Sequence, residues 1–183
     1  MIYNKKVIGK RIYLRSLTNC DASEKYCSWL NDNEVNKYLE TRSVTIDGLK
    51  EYINEKNESD NTLFLGIFDK ANDKHIGNLK LEPINNVKNN ATFSIVIGDK
   101  DYWGYGFGTE STNLILSHGF NEMNLMSINL GVISQNKKAI HIYEKLGFKI
   151  KEIIPKCMDH DGIKYDKVVM EITKDLWEKL NKK

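Results

Sequence analysis

The chain has 183 residues, 40% of them hydrophobic and 28% charged, a balance that suits one globular domain with a buried core and argues against a disordered or fibrous chain. Its 27 basic and 25 acidic residues are spread along the chain and leave a formal charge of +2, so there is no electrostatic footprint for nucleic acid, and no run approaches the roughly 18 consecutive apolar residues of a membrane span. Met1 to Lys10 lacks the apolar centre of a secretion signal, and the three cysteines, Cys20, Cys27 and Cys157, lack the spacing of a disulfide framework or a zinc site. A single domain over residues 1–183 is expected, in the reducing cytoplasm, with no membrane or nucleic-acid partner.

In chain order, the alternation from Arg11 to Leu17 predicts a strand, and Asn19 or Asp21 predicts the start of a helix that carries Tyr26, Trp29 and Leu30 to the Asn31-Asp32-Asn33 turn. A second helix from Thr45 to Lys56 places Leu49, Tyr52 and Ile53 on one side. Three strands follow at Thr62 to Phe68, Ile76 to Leu81 and Ala91 to Ile97, and the turns between them predict an antiparallel meander. Next come a helix from Gly108 to Met123, a strand from Ser127 to Ile133 and a helix from Asn136 to Leu146. Two closing strands, Phe148 to Ile154 and Tyr165 to Ile172, precede a short helix bearing Leu176, Trp177 and Leu180. A strand-helix-strand passage after a meander requires a right-handed crossover in a mixed sheet, so the fold class is α+β, a three-layer sandwich whose fourth and fifth strands are parallel neighbours.

Ligands of such sheets sit beyond the carboxyl ends of parallel strands, which directs attention to the turn after Ile97. There Gly104, Gly106 and Gly108 alternate with Tyr105 and Phe107 directly before a helix, after Trp103 and ahead of Thr109. Glycines let successive N–H groups turn inward, and a helix N-terminus adds partial positive charge, which together suit a pyrophosphate. A Walker loop is ruled out because no Lys-Ser or Lys-Thr follows, and the spacing is not that of the dinucleotide fingerprint. The later segment from Asn136 to Phe148 reads as an amphipathic helix with Asn136 as N-cap, Gly147 as left-handed C-terminal cap, and Ala139, Ile142, Tyr143 and Leu146 at helical spacing.

Together these two segments resemble the acetyl-CoA core of the GNAT superfamily. Arg11 to Arg15, the run Trp29-Leu30-Asn31-Asp32 and the closing Asp161 to Asp166 resemble its ribosomal-protein-alanine and spermidine acetyltransferase branch. The resemblance implies a mostly antiparallel seven-stranded sheet with splayed fourth and fifth strands, acetyl-CoA as co-substrate, no metal, and direct acetyl transfer to a primary amine. It also implies that the backbone of Ile95, Val96 and Ile97 holds the pantetheine arm, that Trp103 through Thr109 hold the pyrophosphate, and that Asn136 and Ala139 contact the cofactor. Tyr143 matches the family's general acid, and Ile97 N–H is the expected donor to the developing oxyanion.

Thr92 stands where many relatives carry a glutamate base, which leaves Glu82, Asp32 or an ordered water chain, with the water route ranked first. The acceptor is expected between the first helix with its loop, which supply Trp29, Asn31, Tyr38 and Arg42, and the closing hairpin with Asp159, His160 and Asp161, Glu82 also being a candidate. Acceptor classes in view are a polyamine, an amino sugar or sugar nucleotide, and an amino acid. The alternatives are a protein N-terminus, as in the ribosomal-protein type, and a non-catalytic acyl-CoA-binding module. Sheet edges make a homodimer an expectation too.

Overall fold

The structure, a computed structural model, describes residues 6–39, 43–160 and 162–182. Near its start two short strands, β1 (Val7–Ile8) and β2 (Ile12–Ser16), pair antiparallel, with Gly9 N–H donating to Ile12 O at 2.8 Å. A two-residue strand shows no alternation, so the sequence reading of seven strands becomes eight. The first helix begins later than Asn19 or Asp21, because Thr18 and Asp21 form a capping box around a separate 3-10 turn at Asn19–Asp21. Helix α1 (Glu24–Asn31) starts where the Ser23 side chain accepts the Tyr26 N–H, and α2 (Ile46–Glu58) starts where Thr45 accepts the Gly48 N–H.

Strands β3 (Leu63–Asp69), β4 (His75–Asn85) and β5 (Asn90–Ile97) form the expected antiparallel meander. Pro83 has no N–H to give the ladder, yet β4 continues past Leu81 because its register with β5 shifts between Leu81 and Ile84. Helix α3 (Phe107–Asn121) leads to β6 (Ser127–Ile133), and α4 (Lys137–Lys145) ends at Gly147, whose φ of +98° a glycine adopts without steric cost. The chain closes with β7 (Lys149–His160), β8 (Ile163–Thr173) and α5 (Lys174–Asn181). The sheet order is β1-β2-β3-β4-β5-β6-β8-β7, which places β8 inside and β7 at the edge.

Two apolar layers hold helices to opposite faces of this sheet, giving the three-layer α+β architecture. Ile115, Leu116 and Phe120 of α3, with Tyr143 of α4 and Trp177 of α5, pack on Phe93, Ile128, Leu130 and Met170. Tyr26, Trp29, Leu49 and Ile53 of α1 and α2 pack on the other face against Phe64 and Phe68. Period-two alternation therefore points Ala91, Phe93, Ile95 and Ile97 toward α3 and α4, and Thr92, Ser94 and Val96 toward the opposite side. Among the described residues no helix is long and apolar enough to cross a membrane.

The parallel pairing of β5 with β6 joins Asn90, Ala91 and Thr92 to Ser127, Ile128 and Asn129 and stops there. Both strands run on, β5 to Ile97 and β6 to Ile133, so the sheet opens into a fork at its centre.

Candidate active site

The register of β5 fixes which backbone groups face that fork. Gly77 lies opposite Ile97, and Gly98 N–H donates to Ile76 O at 3.0 Å, the pattern of a non-hydrogen-bonded pair at Gly77 and Ile97. Ile95 and Ile97 thus turn their N–H and C=O groups away from β4 and into the opening, beyond the last β6 partner. Val96, paired with Asn78, turns its backbone toward β4 and its side chain into the α1/α2 layer, so of the three strand residues it does not face the fork. Ile97 O accepts the Trp103 indole N–H at 2.7 Å, and Ile97 N–H stays directed at the opening.

Beyond β5 the chain is tied down before it reaches the glycines. Lys25 of α1 pairs with Asp99, and Lys100 bridges Asp32 and Glu34 at 2.7 Å each. Gly104 and Gly106 then adopt φ of +83° and +82°, a left-handed region in which an L side chain is strained. Gly106 is the N-cap of α3 and supplies no side-chain cap, so the first-turn N–H groups of Phe107, Gly108 and Thr109 have no side-chain acceptor among the described residues. Arg11 braces this loop from 94 residues away: Nη1 donates to Tyr105 O at 2.9 Å, Nε to Glu110 Oε2 at 2.7 Å, and the guanidinium lies 4.3 Å from the Phe107 ring centroid.

Between loop, fork and α4 lies a cavity of about 330 Å³. It brings together Ile95, Ile97, Trp103, Gly104, Gly106, Phe107, Gly108, Thr109, Ala139 and Tyr143 of the expected cofactor set. Tyr105, 71% exposed, and Asn136, whose Oδ1 accepts the Ala139 N–H at 3.2 Å as the α4 cap, do not line it. Tyr102, Thr112, Lys138 and Ile142 complete the wall and were missed in the sequence. Lys138 had a signal, since it precedes Ile142 by four residues and so shares its helix face. An extended amide chain fits the unpaired β5 edge as an added strand, and a pyrophosphate fits the helix N-terminus with open space in front of Gly104, so the residues present match the two halves of acetyl-CoA.

Tyr143 projects from α4 to the cavity, its ring held edge-on by Phe148 at 5.6 Å and Phe93 at 6.4 Å between centroids. Burial pushes its hydroxyl up to about 12. At the base of the fork Thr92 Oγ1 donates to Asn129 Oδ1 at 2.9 Å, a neutral pair in the place of a carboxylate. Glu82 is a poor base. Burial opposes its charge, but hydrogen bonds from Lys56 at 2.6 Å and Lys80 at 2.7 Å prevail and hold the carboxyl down at about 2. The Lys100 ammonium likewise keeps Asp32 below the usual carboxylate range.

The expected acceptor residues fall into separate places. Trp29 is 6% exposed and packs under the end of β5, where its ring fills the space a side chain at position 98 would need. Asn31 is engaged with the backbone of Val44, accepting its N–H at 2.8 Å and donating to its C=O at 3.0 Å. Tyr38 lies under the Lys37 ammonium, 5.3 Å from its ring centroid, and Asp159 Oδ1 accepts the Gly162 N–H at 3.1 Å in the β7–β8 turn. Arg42 and Asp161 lie outside the described residues, as does the side chain of His160. Among the described residues no three His, Cys, Asp or Glu side chains gather as a metal-binding group.

Comparison with known proteins matches residues 11–149 to the acetyltransferase (GNAT) domain family. The chain is 29% identical over 174 residues to the probable N-acetyltransferase YjcK of Bacillus subtilis, spanning 90% of this chain and 94% of that protein. It is 31% identical over 143 residues to the spermidine N(1)-acetyltransferase of Vibrio cholerae, spanning 77% of this chain and 80% of that one. The crystal structure of spermidine N-acetyltransferase from Vibrio cholerae in complex with CoA and spermine superposes with a TM-score of 0.84 at 26% identity, covering 91% of this chain and 98% of the other.

Proposed function

The chain belongs to the acetyltransferase (GNAT) family, and on that premise we propose that it transfers the acetyl group of acetyl-CoA directly to a primary amine of a small molecule. The observation that carries this reading is the fork: β5 and β6 part after Thr92 and Asn129, with the backbone of Ile95, the N–H of Ile97, the α3 N-terminus and Tyr143 converging on one cavity. Bound there, acetyl-CoA supplies a thioester whose carbonyl carbon is attacked by the amine. The first-turn amides of α3 hold the pyrophosphate and the β5 edge orients the arm. Ile97 N–H donates to the carbonyl oxygen as negative charge develops on it, a donor fixed in advance by the β4–β5 ladder.

Tyr143 keeps its proton at Oη near neutral pH and delivers it to the departing sulfur. No carboxylate stands at Thr92, so the amine loses its proton to water on the polar face that carries Thr92, Ser94 and Asn129. The relatives named for spermidine support a small-molecule acceptor over a protein N-terminus. The test is CoA-thiol release from acetyl-CoA with a panel of spermidine, spermine, amino sugars, amino acids and a peptide amine. Release that depends on a small amine is expected; release only with the peptide would refute the acceptor class, and acetyl-CoA binding without release across the panel would favour a non-catalytic module.

A further inference from the structure

Helices α3 and α4 close one face of the fork, so an amine reaches its tip from the opposite face. That face carries Thr92 and Ser94 on β5 and Asn129 and Gly131 on β6. Continuing the Thr92–Asn129 register sets Ser94 against Gly131 across the opening, and both are exposed. A lysine flanks them on each side, and the one on β8 carries its charge unpaired among the described residues.

Lys167 sits on β8 in register with Ile133, and its side chain turns back along β6 to lie over Gly131. Its ammonium is 3.2 Å from the position a Cβ at Gly131 would take, and its methylenes would collide with that atom, so glycine supplies the room. Lys167 is half-buried and has no carboxylate partner among the described residues. A flexible lysine ordinarily carries its charge out into water; one laid flat beside an opening holds a charge without a counter-ion. On the other side Lys80, in register with Ser94, donates to Glu82 at 2.7 Å and to Tyr52 Oη at 3.2 Å, which leaves one of its three donors. Glu82 is shared with Lys56 at 2.6 Å, and Lys56 also reaches Glu55 at 3.1 Å, so that network is balanced in charge and Lys80 offers the opening its remaining N–H donor rather than a surplus charge. Glu171, beside Asn129, is neutralised by Lys151 at 2.7 Å.

The structure assigns to this face, between Lys80 and Lys167, a site for an anionic group of the acceptor itself, a phosphate or a carboxylate carried by the same molecule as the reacting amine. The assignment rests on the acetyltransferase reading and narrows it: an acceptor with positive charge alone meets like charge here, whereas an amine with an acidic group is steered in and oriented by it. The test is calorimetry on protein saturated with CoA, using glucosamine 6-phosphate against glucosamine, aspartate against asparagine, and spermidine. At least one anionic member is expected to bind at least about tenfold more tightly than its neutral counterpart and than spermidine, a gap near 1.4 kcal/mol; which pair shows it separates phosphate from carboxylate. Lys167→Met should abolish the preference, and Gly131→Ala, which displaces the ammonium and keeps the charge, should reduce it, with CoA affinity unchanged in both. The assignment fails if neither anionic member outbinds its neutral counterpart, if spermidine binds tightest, or if the preference survives Lys167→Met. Failure of the acetyltransferase reading would show separately, as absent CoA binding.

Discussion

Replacing Tyr143 by Phe removes one oxygen and leaves its surroundings intact. The ring keeps its edge contacts with Phe93 and Phe148, and the hydroxyl makes no hydrogen bond among the described residues, so the expected stability change is below about 1 kcal/mol. Chemistry should change far more. Burial holds the hydroxyl up to about 12, so at neutral pH about one molecule in 100,000 is deprotonated and the wild type has its acid in the working form. Losing a positioned general acid costs about 10²–10⁴-fold in kcat. Steady-state CoA-thiol release should show that loss, with acetyl-CoA affinity by calorimetry within about twofold and melting temperature nearly unchanged. The sign of the pH dependence follows: a group active when protonated and titrating at about 12 imposes no fall in rate across the neutral and mildly alkaline range. A Phe variant within about threefold of wild-type kcat, or an alkaline limb near pH 8 that disappears in it, would refute the role.

Gly106→Ala forces an L side chain to φ of +82° at the α3 N-cap, so stability should drop by about 1–2 kcal/mol and acetyl-CoA affinity should weaken, read by melting and calorimetry. Arg11→Ala frees Tyr105 O and Glu110 Oε2 while the backbone N–H at position 11 stays on Glu110 Oε1; the expected result is a several-fold rise in KM for acetyl-CoA with a smaller change in kcat. Glu82→Gln breaks two charged hydrogen bonds and should cost about 1–3 kcal/mol at pH 7 while leaving CoA release measurable, since Glu82 is not the base. The folded carboxyl lies below its ordinary value, so its contribution is present above 4.5 and is lost as pH falls to about 2; the variant should lack that part of the acid-unfolding profile.

The fold was readable wherever an element carries its own periodicity or cap. Thr45, Asn136 and Gly147 mark helix ends by local chemistry, and all three act as caps in the structure. The glycine loop was readable because few residues besides glycine adopt the backbone of positions 104 and 106. Short or exposed pieces gave weaker signals. Val7–Ile8 is too brief to alternate, and β7, an edge strand with Ile150 and Ile153 half exposed and two register shifts, runs to His160 without a clean pattern. Pairings distant in sequence left no local mark: Arg11 with Glu110, Lys100 with Asp32, and the Lys56–Glu82–Lys80 cluster that disqualifies Glu82 as a base. Trp29 and Asn31 looked like acceptor surface because an aromatic beside a turn amide reads the same whether it faces solvent or packs. Tertiary burial put Trp29 in the core, and a backbone partner 13 residues away engaged Asn31.

Calorimetric titration of the purified protein with acetyl-CoA tests the central claim most directly, because every role given to the fork, the glycine loop and Tyr143 presupposes that ligand. One saturable site per chain is the predicted result, with a dissociation constant in the micromolar to submillimolar range usual for enzyme substrates and weaker binding in Gly106→Ala. An absence of saturable binding up to about 1 mM acetyl-CoA would contradict the account.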